Sequence, residues 1–174
     1  IDAHGRIGSL FDKRRGRELV DRAANRIMVY RNDLPRTFDA WDIEPGFSLG
    51  GEELLALDSC TVTAEGPYLG EITVVRSFGA SRITQRLRLW CNSPRLDIVT
   101  DIDWHDRRTY LRAAFPVTVL AEQAAFDQAI GVTQRPTHDN TTWQQAQFEA
   151  CGHRFVSLGE TDWGAALLSA DKYG

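Results

Sequence analysis

Apolar and polar residues alternate with period two along much of this chain, the pattern of strands that bury one face. The clearest case is a run in which Ile83, Gln85, Leu87, Leu89 and Cys91 share one face while Thr84, Arg86, Arg88 and Trp90 share the other. Asn92-Ser93-Pro94-Arg95 has turn chemistry, and after it Leu96, Ile98, Thr100, Ile102 and Trp104 alternate with Asp97, Val99, Asp101, Asp103 and His105. Taking those four residues as the loop pairs Cys91 with Leu96, Leu89 with Ile98 and Leu87 with Thr100. Both apolar faces then coincide, and Arg86 stands opposite Asp101. A cross-strand charge pair contributes about 0.2–1 kcal/mol, so this one tunes pairing and has no catalytic role. A slip of one residue would send the whole apolar set to the wrong side.

Further strands are expected over 7–11, 25–30, 54–64, 71–78, 111–117, 124–132, 142–150 and 164–170. Turn signals separate them, among them His4-Gly5, Glu65-Gly66-Pro67, Gly79-Ala80-Ser81 and Cys151-Gly152. Helical spacing is nowhere convincing, and there is no internal repeat, linker or low-complexity tract. The expectation is an all-β fold, a large antiparallel β-sandwich, with residues 1–174 as one domain. Residues 46–51 read as a surface loop.

Composition narrows the partners. The chain has 43% hydrophobic and 25% charged residues, and 20 basic against 24 acidic residues give a net charge of −4. That balance is too small to steer a polyanion, so nucleic acid is not an expected partner. No apolar run approaches the ~20 residues of a membrane-spanning helix, so no membrane partner is expected either. Cys60, Cys91 and Cys151 are odd in number and widely spaced, which reads as buried free thiols in a reducing, cytoplasmic setting. The chain has no initiator Met, and its strand pattern still runs at Lys172-Tyr173-Gly174; the expectation is a piece of a longer polypeptide.

Two blocks carry a family resemblance. One is Asn25-Arg26-Ile27-Met28-Val29-Tyr30, followed by Asp33, Pro35 and Asp39-Ala40-Trp41-Asp42-Ile43. The other is Arg135-Pro136-Thr137-His138-Asp139-Asn140-Thr141-Thr142-Trp143, then Ala146-Gln147-Phe148-Glu149, His153-Arg154-Phe155 and Trp163-Gly164-Ala165-Ala166-Leu167-Leu168, before Asp171-Lys172-Tyr173-Gly174. In this order they resemble the all-β region of glycoside hydrolase family 38 α-mannosidases. The resemblance implies a retaining, zinc-dependent enzyme acting on terminal α-mannosides, with nucleophile and metal ligands on an N-terminal α/β barrel outside these residues. It implies that this chain is the accessory, non-catalytic β domain, related in fold to the large sandwich of sugar mutarotases. The implied partners are the catalytic barrel of the same polypeptide and, through the whole enzyme, mannose-containing glycans. Zinc would belong to the full-length enzyme and no cofactor to this part of it, which alone would be inactive. An oligomer is left open.

Candidate site residues follow from chemistry and from the resemblance together. Asp39, Trp41 and Asp42 put two carboxylates around an indole, a set that could hydrogen-bond sugar hydroxyls and stack on a ring; equally, the acids could cap their own turn and the Trp plug a packing gap. The resemblance implies a place near the junction with the barrel. Arg135, His138 and Asp139 form a second polar cluster that could reach a ligand or satisfy backbone groups at a sheet corner. A retaining acid pair needs carboxyls about 5–5.5 Å apart, which no spacing here fixes. His4, His105, His138 and His153 are scattered and none stands in a metal-binding repeat. Trp104, Trp143 and Trp163 read as core residues and Trp90 as an exposed contact residue beside Arg86 and Arg88. Two other functions stay open at this point: a carbohydrate-binding module acting through exposed aromatics, and a mutarotase-like enzyme, which would need a convergent His and Glu pair.

Overall fold

The computed structural model describes residues 1–31, 37–38 and 42–170. The chain divides into two compact units, one of residues 1–8 and 23–115, the other of residues 9–22 and 116–174.

The first unit is a two-layer sandwich. One layer is a four-stranded antiparallel sheet of β5 (Ser59–Glu65), β6 (Leu69–Phe78), β7 (Ser81–Trp90) and β8 (Leu96–Asp103), in that order across the sheet. The other is a three-stranded sheet with β3 (Arg26–Arg31) between β4 (Gly51–Glu53) and β9 (Thr109–Ala114). Strand alternation sends Ile27 and Val29 from β3 onto Phe78 and Ile83 from the larger sheet, with Leu54 and Leu111 packed around them. Each such side chain, fully buried, contributes roughly 1.5–3 kcal/mol. A polar tie crosses the same core: Asn25 Nδ2 donates to Gln85 Oε1 at 3.0 Å, and Gln85 Nε2 donates back to Asn25 Oδ1 at 3.2 Å.

The second unit holds a four-stranded antiparallel sheet ordered β11 (Gly131–Pro136), β10 (Gln123–Gln128), β12 (Phe155–Gly159), β13 (Gly164–Leu168), and a short pairing of β1 (Phe11–Asp12) with β2 (Arg17–Glu18). Register places Ala124, Phe126, Val156, Leu158, Ala165 and Leu167 on one face of the larger sheet. The only α-helix among the described residues is α1, the single turn Thr142–Gln145, closed by a capping box between Thr141 and Gln144.

The all-β sandwich expected from alternation is the fold of the chain. Local departures have identifiable causes. The β7–β8 loop is longer than four residues, because Leu89 pairs with Leu96 and Leu87 with Ile98, a shift of two from the expected register. An even shift leaves every side chain on its face. The segment 142–150 is not a strand: the Thr141 cap starts a helical turn instead, and Trp143 is 81% exposed, not core. The expected run 124–132 is the start of the β10–β11 hairpin, and β12 lies where no strand was expected. Cys60, Cys91 and Cys151 are free but exposed, not buried.

Candidate functional site

The six candidate residues fall into two groups, one in each unit. Asp39 and Trp41 lie outside the described residues. Asp42 is exposed, and its Oδ1 accepts from the amide of the next residue, Ile43, at 3.0 Å. Arg135 sits on β11 directly across from Ala124, with its guanidinium carbon 5.6 Å from the centre of the Phe126 ring. Its Nε is buried without a hydrogen-bond acceptor. His138 and Asp139 are exposed in the connection from β11 to α1, where the Asp139 carbonyl accepts from Gln145 Nε2 at 3.1 Å. Arg135 thus packs on Phe126 from within β11, and His138 and Asp139 follow it in the connection to α1, where the Asp139 carbonyl is taken up by Gln145.

Stronger polar constructions occur elsewhere, between residues far apart in sequence. In the second unit Arg17 grips Glu160 with two bonds, Nη1 to Oε2 at 3.0 Å and Nη2 to Oε1 at 2.7 Å, and also donates to the Thr118 carbonyl at 3.3 Å. Glu160 Oε1 accepts in addition from the Leu120 amide at 2.8 Å. The Arg17 guanidinium lies 4.8 Å from the Trp163 ring centre, a cation–π contact that fixes the fork over the indole. The Arg17 bonds, with the Leu120 amide, hold the Glu160 carboxyl below its ordinary value.

In the first unit Glu53 is the hub. Arg26 donates to its Oε2 through Nε at 3.0 Å and Nη2 at 2.7 Å, and Arg6 Nη1 donates to Oε1 at 3.1 Å. Arg6 Nε also reaches Asp2 Oδ2 at 2.7 Å, so the turn at the start of the chain is pinned to β3 and β4. The bond from Arg26, opposed by burial and aided by Arg6, keeps the Glu53 carboxyl below the usual glutamate value. Arg76 lies deeper, 1% exposed on the inward side of β6. Its guanidinium donates to the carbonyls of His4 at 2.5 Å, Leu54 at 2.9 Å and Ala56 at 3.4 Å, and burial pulls its pKa below the ordinary arginine value. A charged residue at an inward position of an alternating strand was the readable signal for Arg76. The Arg17 to Glu160 pair gave none, since 143 residues separate its members.

On β7 and β8, Arg82, Thr84, Thr100, Asp101, Ile102 and Asp103 line an open groove of about 420 Å³. Arg86 Nη2 bonds Asp101 Oδ2 at 2.7 Å, although the two residues are diagonal and not opposite in the ladder. His105 Nε2 lies 2.8 Å from Asp103 Oδ1 on the exposed side. Among the described residues no group of three His, Cys, Asp or Glu side chains converges to hold a metal ion. The donor set that zinc needs therefore has no counterpart in the described part of the chain.

What these features define is an all-β sandwich-type domain stabilised by arginine–carboxylate clamps. Residues 1–174 match in full the description of the glycosyl hydrolases family 38 C-terminal domain, and the chain belongs to that family. Alpha-mannosidase G of Dictyostelium discoideum is 33% identical over 182 residues that cover 100% of this chain and 17% of the relative. Alpha-mannosidase 2C1 of Homo sapiens is 33% identical over 178 residues, with the same coverage of both. Alpha-mannosidase of Saccharomyces cerevisiae is 29% identical over 193 residues that cover 98% of this chain. The chain spans 17% of the length of each of these relatives.

Proposed function

We propose that this chain is the accessory β domain of a longer α-mannosidase, bracing a catalytic barrel that cleaves terminal α-linked mannose in the same polypeptide. The observation that carries the reading is the full-length match to a family 38 C-terminal domain by a chain covering 17% of its α-mannosidase relatives. In this reading Zn²⁺ would be bound by the barrel, where it could orient sugar hydroxyls and the nucleophile. The segment containing Asp39, Trp41 and Asp42 would face the barrel and shape the rim of its pocket, and Arg135, His138 and Asp139 would serve the second unit's sheet corner or the same junction. The enzyme would work in the cytoplasm, where three exposed free thiols stay reduced. That residues 1–174 unfold as one domain is part of the proposal; two separate calorimetric transitions would reject it.

The central test compares the purified chain with the full-length polypeptide. The full-length protein should bind zinc and hydrolyse an aryl α-mannoside, and the chain alone should do neither. Hydrolysis by the chain alone would overturn the accessory role. A carbohydrate-binding module is a second reading, favoured by Trp143 at 81% and Tyr68 at 75% exposure. Titrating mannobiose into the chain decides it: a saturable change in tryptophan fluorescence supports the module, and a flat response supports the brace.

A further inference from the structure

Three arginines of β7, Arg82, Arg86 and Arg88, lie on one side of the strand, opposite to buried Ile83, Gln85 and Leu87. Two of them are tied to carboxylates, Arg86 to Asp101 at 2.7 Å and Arg88 to Glu71. Arg82 is not. It stands directly across the β7–β8 ladder from Asp103, next to the pair Thr84 and Asp101, and facing charges of opposite sign ordinarily pair. Among the described residues, however, Arg82 makes no hydrogen bond or ion pair, and Asp103 gives its Oδ1 to His105 Nε2 at 2.8 Å. Both residues line the open groove of about 420 Å³, together with Thr84, Thr100, Asp101 and Ile102. The two carboxylates are held in place from outside it. Arg86 fixes Asp101 through Oδ2 and His105 fixes Asp103 through Oδ1, while among the described residues the second oxygen of each, like the Thr84 hydroxyl, has no partner.

We propose that this groove binds the hydroxyl-bearing edge of a neutral sugar, with Arg82 donating to ring hydroxyls, Asp101 and Asp103 accepting from them, and Thr84 able to do either. The choice of ligand follows from the lining. A free guanidinium beside free carboxylate oxygens calls for groups that accept and donate at once, and a hydroxyl does both. Arg82 and Arg86 balance Asp101 and Asp103, so a ligand with net charge finds no complementary field. Ile102 is the single apolar side chain in the lining, which leaves an apolar ligand little surface to bury. The volume falls within the roughly 300–1,000 Å³ of small-molecule sites. This assignment rests on the carbohydrate-binding reading above and gives that reading a site; a domain that braces a catalytic barrel can carry it as well.

The test is an amide NMR titration of the 174-residue protein with mannobiose. The amides of Arg82, Thr84, Asp101 and Asp103 should shift together and saturate. Arg82→Ala should raise the Kd about 10-fold or more, the loss expected when a hydrogen bond from a charged donor is deleted. Because Arg82 holds no other residue, the sugar-free spectrum of β6 and β7 should stay as it was, which shows that the sheet remains folded. Thr84→Val, which keeps the strand and removes the hydroxyl, should weaken binding too. Mannobiose that shifts amides elsewhere, with a Kd indifferent to Arg82→Ala, overturns the groove and leaves the carbohydrate-binding reading standing. No shift anywhere rejects both. Inorganic phosphate that moves the groove amides at lower concentration than mannobiose overturns the neutral ligand, because the site would then be an anion site.

Discussion

Replacing Gln85 with alanine should expose how much the first unit depends on one buried amide pair. Asn25 is 0% exposed and Gln85 is 3% exposed, and each side chain donates to and accepts from the other across the two layers. Gln85→Ala strands Nδ2 and Oδ1 of Asn25 where water does not reach, and an unsatisfied buried polar group costs about 1–3 kcal/mol. Thr100 Oγ1 loses a bond at 3.2 Å as well, but Thr100 is exposed and water can replace it. Adding the small cavity gives an expected loss of roughly 3–5 kcal/mol. With residues 1–174 unfolding together, as proposed above, that lowers the melting midpoint by about 6–20 °C. The partner change is Asn25→Gly, because Asn25 has φ 55, which glycine adopts without strain. In the pair Asn25→Gly with Gln85→Ala no amide is left orphaned, so the double variant should lose at least 1 kcal/mol less than the two single losses combined. Urea unfolding of the four proteins measures the coupling. A Gln85→Ala loss below about 0.5 kcal/mol, or strict additivity across the cycle, would refute the reasoning.

Other expectations follow from single contacts. Gly79 has φ +52 and a Cβ there would lie 2.1 Å from Asp106 Oδ1, so Gly79→Ala should cost about 2–4 kcal/mol by denaturant titration. Gly16→Ala, at φ +63 with nothing within 4 Å, should cost only about 1–2 kcal/mol; equal losses would deny the role of Asp106. Glu53 has its folded pKa depressed, so its contribution is full above the ordinary glutamate value and is lost as pH falls through the folded one. Arg26→Gln should raise the Glu53 titration seen by carboxyl NMR and flatten the acid-side stability slope, and an unmoved titration would count against the hub. Trp143→Ala should change stability by less than about 0.5 kcal/mol and remove a water-exposed component of the fluorescence. A large loss would mean that Trp143 is packed.

Faces were legible in the sequence, and distances along the ladder were not. Period-two alternation identified the sides of β7 and β8 correctly because it survives any even slip, and for the same reason it could not detect the shift of two. Arg86 still finds Asp101 because a long side chain reaches a diagonal neighbour. The helical turn at Thr142 had a local signal, Thr141 followed three residues later by Gln144, which the apolar alternation of 142–150 outweighed. Of the candidate residues, Asp42, His138 and Asp139 are exposed, as polar loop residues should be. The clamps on Glu53 and Glu160 depend on tertiary proximity, and no spacing announces a bond across 143 residues.

The second unit takes residues 9–22 from near the start of the chain and its remaining residues from 116 onward. Synthesis therefore delivers the β1–β2 segment long before its partners: Val20 bridges Val117, and Arg17 waits for Glu160. The first unit has all its residues once the ribosome passes position 115, whereas the second stays unfinished until β12 and β13 emerge. No single cut separates the two units into continuous pieces. A C-terminal deletion near residue 115 would leave the early segment without partners, exposed to proteases and to mispairing during expression.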